Sequence, residues 1–322
     1  MTSQATAVPE VLVRPAVRVR TRPRNRLTLG RQLVLQLLAL LITSTVLFPL
    51  VWIVSMALDP RNISRPTTLT LIPPGASLAA FAKVIAQPTD NPVSFPQLAF
   101  NSLFIAVVIS VASVSIGVLA AYAFSRMQFR GREVMMIAIL AVLMLPAVAT
   151  IAPLFVSLNK IQIGPLDIFG IHLTKFNLRN SLPGVALAVT SSQLPFAIWN
   201  LKGYLDTIPR ELEEAAAVDG ASKLRTFWHV ILPLSTPVLA VTAFFGFIAG
   251  WTEFYFSWTF LTEPSSFTLS MALNGMVGQY AGNTRWSEFA AFSILVALPV
   301  SVVYLFLQKY IVSGLTIGGV KG

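Results

Sequence analysis

Six long apolar stretches constrain this chain more than any other feature of its sequence. A helix needs about 20 mostly apolar residues to cross a bilayer. The stretches of roughly that length are residues 33–56, 101–124, 134–158, 182–201, 238–260 and 289–307. Backbone polar groups have no water to bind in lipid, so each spanning stretch should be a helix. We therefore predict an all-α membrane protein with six transmembrane helices.

The balance of charged and apolar residues agrees with this prediction. Charged residues make up 11% of the chain and the mean hydropathy is +0.73, whereas soluble proteins carry about 25% charged residues. The weak, short alternation of apolar and polar residues that marks a membrane barrel is absent from the sequence.

The basic residues predict how the chain is oriented in the membrane. Seven arginines lie between Arg14 and Arg31, before the first predicted span. If that end is cytoplasmic, the inside segments hold 16 of the 23 lysines and arginines, as the positive-inside rule describes. Both termini are then cytoplasmic. The net charge of +10 therefore points to membrane lipid rather than to nucleic acid.

Residues 1–31 form a basic tail, which we expect to be disordered and to face anionic headgroups. The apolar run after Arg31 has about 24 residues, whereas the core of a cleaved signal has roughly 7–15. We interpret it as a retained first span.

The sequence also excludes several chemistries. It has no cysteine and two distant histidines, His172 and His229, so neither thiolate chemistry nor a metal centre is expected. It lacks the G-x-x-x-x-G-K-[ST] phosphate loop, the G-x-S-x-G elbow and the H-E-x-x-H helix. We therefore predict a non-catalytic chain without its own cofactor. Six spans without an energy-converting site are typical of one subunit of a larger transporter.

Glu253 is the one charged residue within the six predicted spans. An ionisable group inside a membrane is a candidate functional residue, which makes Glu253 a candidate for the transport pathway. Solvation near the outer interface is the alternative. The spans also contain Pro49, Pro146, Pro153, Pro195 and Pro299. These prolines either kink helices that move or reflect ordinary membrane-helix composition.

The segments between the spans are short or irregular by composition. The outer segment 57–100 is rich in proline and should form an irregular cap rather than a domain. A second outer segment covers residues 159–181, and a third, of about 27 residues, contains Gly275, Gly278 and Gly282. Residues 314–322 form a polar, glycine-rich C-terminal tail.

The stretch LEEAAAVDGASKLRTFWHVILPLS, residues 212–235, is polar enough to leave the membrane. We predict a first helix capped by Asp206 or Thr207, with Pro209 in its first turn and acidic residues near its positive end. Gly220 is placed to end this helix in a left-handed conformation. The residues that share one face by spacing are Leu212, Ala215, Ala216 and Asp219.

A second short helix follows in the same stretch. Ser222 can cap it, and Pro233 should end it before the next span. Helical spacing puts the residues Leu224, Phe227, Trp228 and Ile231 on one apolar stripe that can pack on the bundle. The alanine face of the first helix lets another surface approach closely. The residues alone leave two interpretations open: docking of a partner protein, or an amphipathic linker on the bundle.

The same stretch resembles the EAA loop of permease subunits in binding-protein-dependent ABC importers. The residues that match the family pattern are Glu214, Ala215, Ala216, Gly220, Val230, Leu232 and Pro233, with Val230 in an isoleucine position. Segments 121–131 and 231–241 and the tail are similar to MalG-type permeases of maltose/maltodextrin importers. The resemblance covers about residues 32–322 and implies a type I importer permease fold.

The resemblance also implies partners and site residues. The partners would be a second permease of MalF type, an ATPase dimer of MalK type that binds ATP and Mg, and an extracytoplasmic sugar-binding protein. Contacts to the ATPase would come from Leu212, Glu214, Ala215, Ala216, Asp219, Gly220 and Ala221, and from the tail residues Gly314, Thr316, Gly318, Gly319 and Lys321. Contacts to the binding protein would come from Leu273, Asn274, Gly275, Gly278, Gln279, Tyr280 and Gly282.

The resulting functional prediction is a multi-pass permease subunit in a bacterial inner membrane. It would move maltose or maltodextrin into the cytoplasm by alternating access, with the docked helix as a lever. Another oligosaccharide such as trehalose is an alternative substrate. An ion-coupled secondary transporter is a further alternative, although such proteins place coupling charges near the middle of the membrane.

Overall fold

The computed structural model describes residues 28–62, 71–163, 166–168, 171–173, 176–277 and 284–318. These residues are mainly helical. The long helices are α1 (Leu29–Ala57), α3 (Phe95–Arg126), α6 (Leu182–Leu205), α10 (Thr236–Trp251) and α13 (Trp286–Gly318). The shorter ones are α2 (Ala79–Ala86), α4 (Arg132–Leu143), α5 (Ile151–Lys160), α7 (Glu211–Val218), α8 (Lys223–Thr226), α9 (Leu232–Leu234), α11 (Tyr255–Phe260) and α12 (Leu269–Met276).

Within this part of the chain, four helices are long and apolar enough to cross a membrane, namely α1, α3, α6 and α13. Two bent pairs raise the number to as many as six if each pair is one span. The first pair, α4 with residues 148–160, is bent by 101° just after Pro146. The second joins residues 223–234 to α10 with a bend of 74°. The chain divides into two compact units, residues 1–49 and 50–322.

Two of the predicted spans are not continuous helices. The stretch 134–158 is interrupted between α4 and α5, where Pro146 lacks the N–H that would continue the helix. The stretch 238–260 is interrupted at residues 252–254, between α10 and α11. Pro49, Pro195 and Pro299, by contrast, lie inside helices that continue past them.

The second unit is built on close packing of α3 with α6 and α10. Gly246 and Gly250 of α10 face Ser110 and Ala106 of α3, and a Cβ at Gly250 would lie 2.5 Å from the Ala106 Cα. Ser110 Oγ also donates to the Ala243 carbonyl at 2.8 Å. Small residues let two membrane helices approach to backbone contact, and this contact fixes α10 against α3.

Buried side chains form three clusters in this unit. One joins α10, α12 and α13 through residues such as Trp251, Leu269 and Phe292. A second lies between α6 and α11 and includes Val189 and Phe260. The third lies under the polar stretch 206–235 and consists of Val118, Ala121, Leu201, Leu205, Ile208, Phe227, Ile231 and Val238.

The segments predicted to lie outside the membrane are more ordered than their composition predicts. Segment 57–100 is not irregular throughout, because it contains α2 and the beginning of α3. Lys83 on α2 forms a 2.7 Å ion pair with Glu288 at the beginning of α13, and Ser287 Oγ donates to the Asp59 carbonyl at 2.7 Å. Side-chain contacts therefore hold this cap on the bundle.

Segment 159–181 contains short antiparallel strands, which the all-α prediction did not include. The strands are β1 (Gln162–Ile163), β2 (Leu166–Ile168), β3 (Ile171–Leu173) and β4 (Phe176–Asn177). β1 pairs with β4 and β2 pairs with β3, so the segment folds back on itself. At the other end of the chain, α13 continues to Gly318, well beyond its predicted end at residue 307.

Candidate functional site

Helix α7 is the first helix of the predicted helix pair, but its N-terminus differs from the prediction. It begins at Glu211, two residues after Pro209, and no side chain caps it. Thr207 Oγ1 donates instead to the Tyr204 carbonyl at 2.7 Å, and Asp206 accepts from Ser125. The capping prediction was wrong because α7 begins later than expected, so that Arg210 occupies the N-cap position and both side chains bond elsewhere. The acidic residues Glu211, Glu213 and Glu214 lie in the first turn, as predicted, where they complement the helix dipole.

The C-terminus of α7 confirms the predicted glycine turn. Gly220 has φ +82°, a conformation that L side chains rarely adopt. The Ala221 N–H donates to the Ala216 carbonyl at 2.9 Å, and the Gly220 N–H donates to the Ala217 carbonyl at 3.0 Å. This pair of bonds is a Schellman motif. It ends α7 sharply and fixes the direction of the chain that follows.

One face of α7 is open to solvent. Leu212, Ala215 and Asp219, which were predicted to share this face, are exposed, whereas Ala216 is half-buried. Val218 has 87% of its surface exposed. Glu214 is exposed as well. The face therefore combines small, apolar and acidic side chains that another surface can reach.

Glu213 points in the opposite direction, into the bundle. Its carboxylate accepts from Arg126 Nε at 2.5 Å and from the Tyr122 hydroxyl at 3.3 Å. Arg126 is the last residue of α3, and its side chain is 8% exposed, compared with 19% for Glu213. This pair was not predicted from the sequence, because no regular spacing relates residues 126 and 213. The only signal was a basic residue at the end of one span and an acidic residue in the polar stretch.

Further polar contacts surround this pair. Arg126 also donates to the Ile208 carbonyl at 2.9 Å. Ser125 Oγ donates to Asp206 at 2.6 Å, and Lys202 forms an ion pair with Asp206 at 2.6 Å. Burial of Asp206 acts to raise its pKa, but the hydrogen bonds from Lys202 and Ser125 and the nearby positive charges outweigh burial and hold the pKa below its usual value. These contacts join the ends of α3 and α6 to the segment before α7.

The second helix begins as predicted and then departs from the predicted stripe. Ser222 Oγ accepts from the Arg225 N–H at 3.3 Å and caps α8. Residues 227–231 then form a π-helical turn, and Pro233 lies in α9 rather than after it. Proline lacks an N–H, which favours such a local widening of the helix.

The π-helical turn divides the predicted apolar stripe. Phe227 and Ile231 are buried, and the Phe227 ring packs edge-on against Tyr122 with 4.9 Å between ring centroids. Leu224 and Trp228, however, are 67% and 54% exposed. The prediction that all four side chains pack on the bundle was therefore wrong for these two. They add apolar surface next to the open face of α7.

Comparisons with known proteins identify the family of this chain. Residues 113–317 match the family described as "Binding-protein-dependent transport system inner membrane component". This chain belongs to that family. The matched part of this permease-family chain includes Arg126, all of α7 and the glycine turn.

Individual relatives cover most of the chain. The Trehalose/maltose transport system permease protein MalG of Thermococcus litoralis is 34% identical over 88% of this chain and 95% of its own length. The Maltose/maltodextrin transport system permease protein MalG of Vibrio vulnificus is 35% identical over 87% of this chain and 92% of its own. Both alignments are nearly full-length, so the chain is similar to whole permease proteins.

A solved structure supports the fold independently. A chain of a bacterial ABC transporter involved in the import of the acidic polysaccharide alginate superposes with a TM-score of 0.68 at 22% identity. The superposition covers 87% of this chain and 96% of the other. The permease-family chain therefore shares the helical fold of that transporter chain.

Glu253 occupies the break between α10 and α11 of this permease-family chain. It is 8% exposed, so it is buried rather than solvated. Its carboxylate accepts from the Phe256 N–H at 2.6 Å and the Ser257 N–H at 2.9 Å, and also from the Ser257 hydroxyl. These are the otherwise unpaired N–H groups at the beginning of α11. In this structure Glu253 holds the break between the two helices.

The remaining predicted site residues lie in two places. Leu273, Asn274 and Gly275 are in the last turns of α12. Of the tail residues, Gly314, Thr316 and Gly318 are in α13. The predicted residues Gly278, Gln279, Tyr280, Gly282, Gly319 and Lys321 lie outside the described residues. In the part of the chain that is described, no three His, Cys, Asp or Glu side chains are grouped to hold a metal ion.

Proposed function

We propose that this chain is one transmembrane subunit of an ATP-driven importer for maltose or maltodextrin. The permease family provides the transport role, and relatives at 34% and 35% identity carry maltose in their descriptions. Both permeases align over nearly the whole chain, which favours a shared substrate class. In this proposal the chain spans a bacterial inner membrane six times with both termini in the cytoplasm.

The open face of α7 is the observation that carries the mechanism. Leu212, Ala215 and Asp219 are exposed on a helix that is stopped sharply by Gly220. Small side chains let a partner approach the backbone closely, and a short helix transmits force better than a loop. We place the ATPase contact on this face together with Glu214, Ala216 and Ala221.

The proposal assigns ATP hydrolysis to a separate ATPase dimer. The sequence has no phosphate loop, so ATP and Mg would be bound by that partner. A second permease subunit of related fold would complete the transport path. An extracytoplasmic sugar-binding protein would deliver sugar at the outer side, near residues 273–282. The tail, residues 314–322, would provide a second contact with the ATPase.

Transport would follow from rigid-body motion of the helices. Closure of the ATPase dimer moves α7, and α7 moves the bundle to which it is attached. The close contact of Gly250 with Ala106 makes α3 and α10 move together. The break held by Glu253 lets α11 keep a different direction from α10, so the outer half of this region can change its contacts without bending a continuous helix.

Substitutions on α7 test this function in the reconstituted transporter. Glu214→Lys reverses a charge on the open face, and Gly220→Val places a β-branched residue at φ +82°, which is strongly unfavourable. We expect both variants to hydrolyse ATP without sugar uptake or to lose the ATPase during purification. Glu263→Lys, a reversal at an exposed glutamate outside α7, is the matched control. Normal uptake by the two α7 variants would contradict the lever role.

Trehalose is a second candidate substrate, because the Thermococcus litoralis relative is described as a trehalose/maltose permease. Competition for uptake separates the two sugars. If trehalose competes with labelled maltose in membranes that contain the complete transporter, and labelled trehalose is itself taken up, both are substrates. If an ion gradient drives uptake by this chain without the ATPase, the importer proposal is wrong.

A further inference from the structure

Helix α7 has a second face that the proposed docking does not use. Glu213 lies on it, turned away from the open face, and accepts hydrogen bonds from Arg126 and Tyr122 of α3. The same helix can therefore contact a partner on one side and the bundle on the other. The contact with the bundle consists of charged and polar groups at short distances.

Arg126 connects three separate pieces of backbone. Its guanidinium donates to Glu213 on α7, to the Ile208 carbonyl before α7, and to Ser125 Oγ on α3 at 3.2 Å. The planar guanidinium offers several N–H donors in fixed directions. Little solvent reaches the group, because 8% of the side chain is exposed. Removal of either partner leaves a poorly solvated charge.

Because of its position in the fold, Arg126 can pass a displacement of α7 to the rest of the bundle. It is the last residue of α3, the helix that packs closely on both α6 and α10. Gly117 of α3 lies within Cβ-contact distance of Ala197 on α6, and Ala106 and Ser110 lie against the glycines of α10. A displacement at Arg126 therefore reaches the centre of the bundle through close contacts.

We propose that the Arg126–Glu213 ion pair is the link that passes motion of α7 to α3. Both are positioning residues, because their side chains contact each other and the segment before α7. Tyr122 steadies the carboxylate, and the Ile208 carbonyl holds the guanidinium in place. Without the ion pair, α7 can move with the ATPase while α3 does not move. This inference rests on the proposed function, in which α7 docks on an ATPase.

The experiment compares sugar transported per ATP hydrolysed in liposomes that hold the complete transporter. We expect Arg126→Ala and Glu213→Gln to lower this ratio about tenfold, which corresponds to about 1.4 kcal/mol. The ATPase should still co-purify with both variants. Arg130→Ala, at an exposed arginine of the next loop, is the matched control and should keep the ratio. Arg126→Lys should keep more of the ratio than Arg126→Ala, because lysine keeps a positive charge and N–H donors for Glu213.

Each result decides between the two proposals. An unchanged ratio in single variants that still bind the ATPase overturns the link and leaves the docking proposal intact. If Arg126→Lys is as low as Arg126→Ala, the loss does not follow the charge at this position and the link is also overturned. If the unaltered chain binds no ATPase, the proposed function itself is wrong. Should Arg126→Ala fail to assemble, Glu213→Gln decides, since it keeps the size of the side chain.

Discussion

The contact between α3 and α10 allows a quantitative prediction from Gly250. A Cβ added there would lie 2.5 Å from the Ala106 Cα, 2.9 Å from the Ala106 nitrogen and 2.9 Å from the Ile109 Cδ1. Carbon atoms prefer separations of about 3.5–4.0 Å, so Gly250→Ala must push the helices apart by about 1 Å. Two of the three obstructing atoms belong to backbone, which no rotamer change can move. Overpacking of this kind costs about 1–3 kcal/mol.

Thermal unfolding of the purified protein in detergent measures this cost. Gly250→Ala should lower the melting temperature by several degrees. Gly246→Ala, whose Cβ would lie 2.9 Å from the Ser110 Cα, should lower it less. Gly203 on α6 has no atom within 4 Å of an added Cβ, so Gly203→Ala is the matched control. It should be neutral or slightly stabilising, since alanine favours a helix over glycine by about 1 kcal/mol. An unchanged melting temperature for Gly250→Ala, or a larger drop for Gly203→Ala, would refute the reasoning.

Two further predictions concern carboxylates. The pKa of Asp206 is held below its usual value. Its contribution to stability is therefore present above about pH 4 and is lost as the pH falls through the lowered pKa. The melting temperature of Asp206→Asn should therefore decrease less steeply with falling pH than that of the unaltered protein. Removal of the Glu253 carboxylate leaves the N–H groups of Phe256 and Ser257 without their acceptor, so Glu253→Ala should lose about 1–3 kcal/mol. Glu253→Gln, which keeps one carbonyl oxygen, should retain more stability, and equal melting temperatures for the two variants would contradict the capping role.

If the link at Arg126 holds, motion of α7 enters the bundle at the end of α3. Helix α7 is short, and most of its surface is open to solvent. Glu213 is its main polar contact with α3. A partner can therefore bind the exposed side of α7 while the ion pair still connects this helix to α3. One face of α7 can bind a partner and another can contact α3 because neighbouring residues of a helix point in different directions.

Much of this protein follows from local sequence. Runs of apolar residues long enough to cross a bilayer favour helices, because lipid supplies no other partner for the backbone, although the stretches 134–158 and 238–260 are each interrupted. Gly220 and Ser222 act within a few residues of their own position, so the turn and the cap between α7 and α8 were predictable. The EAA pattern is also local, and it was sufficient to predict the family that the comparisons confirm.

Other features depended on which segments meet in three dimensions. Asp206 was predicted to cap α7, but the helix begins at Glu211, and the carboxylate binds Ser125 and Lys202 instead. The helical period predicted that Leu224 packs with Phe227. In the structure, Leu224 and Trp228 are exposed, whereas Phe227 and Ile231 of the π-helical turn are buried. The Arg126–Glu213 pair joins residues 87 positions apart. Periodicity and spacing describe neighbours along the chain. A buried ion pair instead needs two helix ends that are distant in sequence to meet, and only the tertiary structure decided which ends do so.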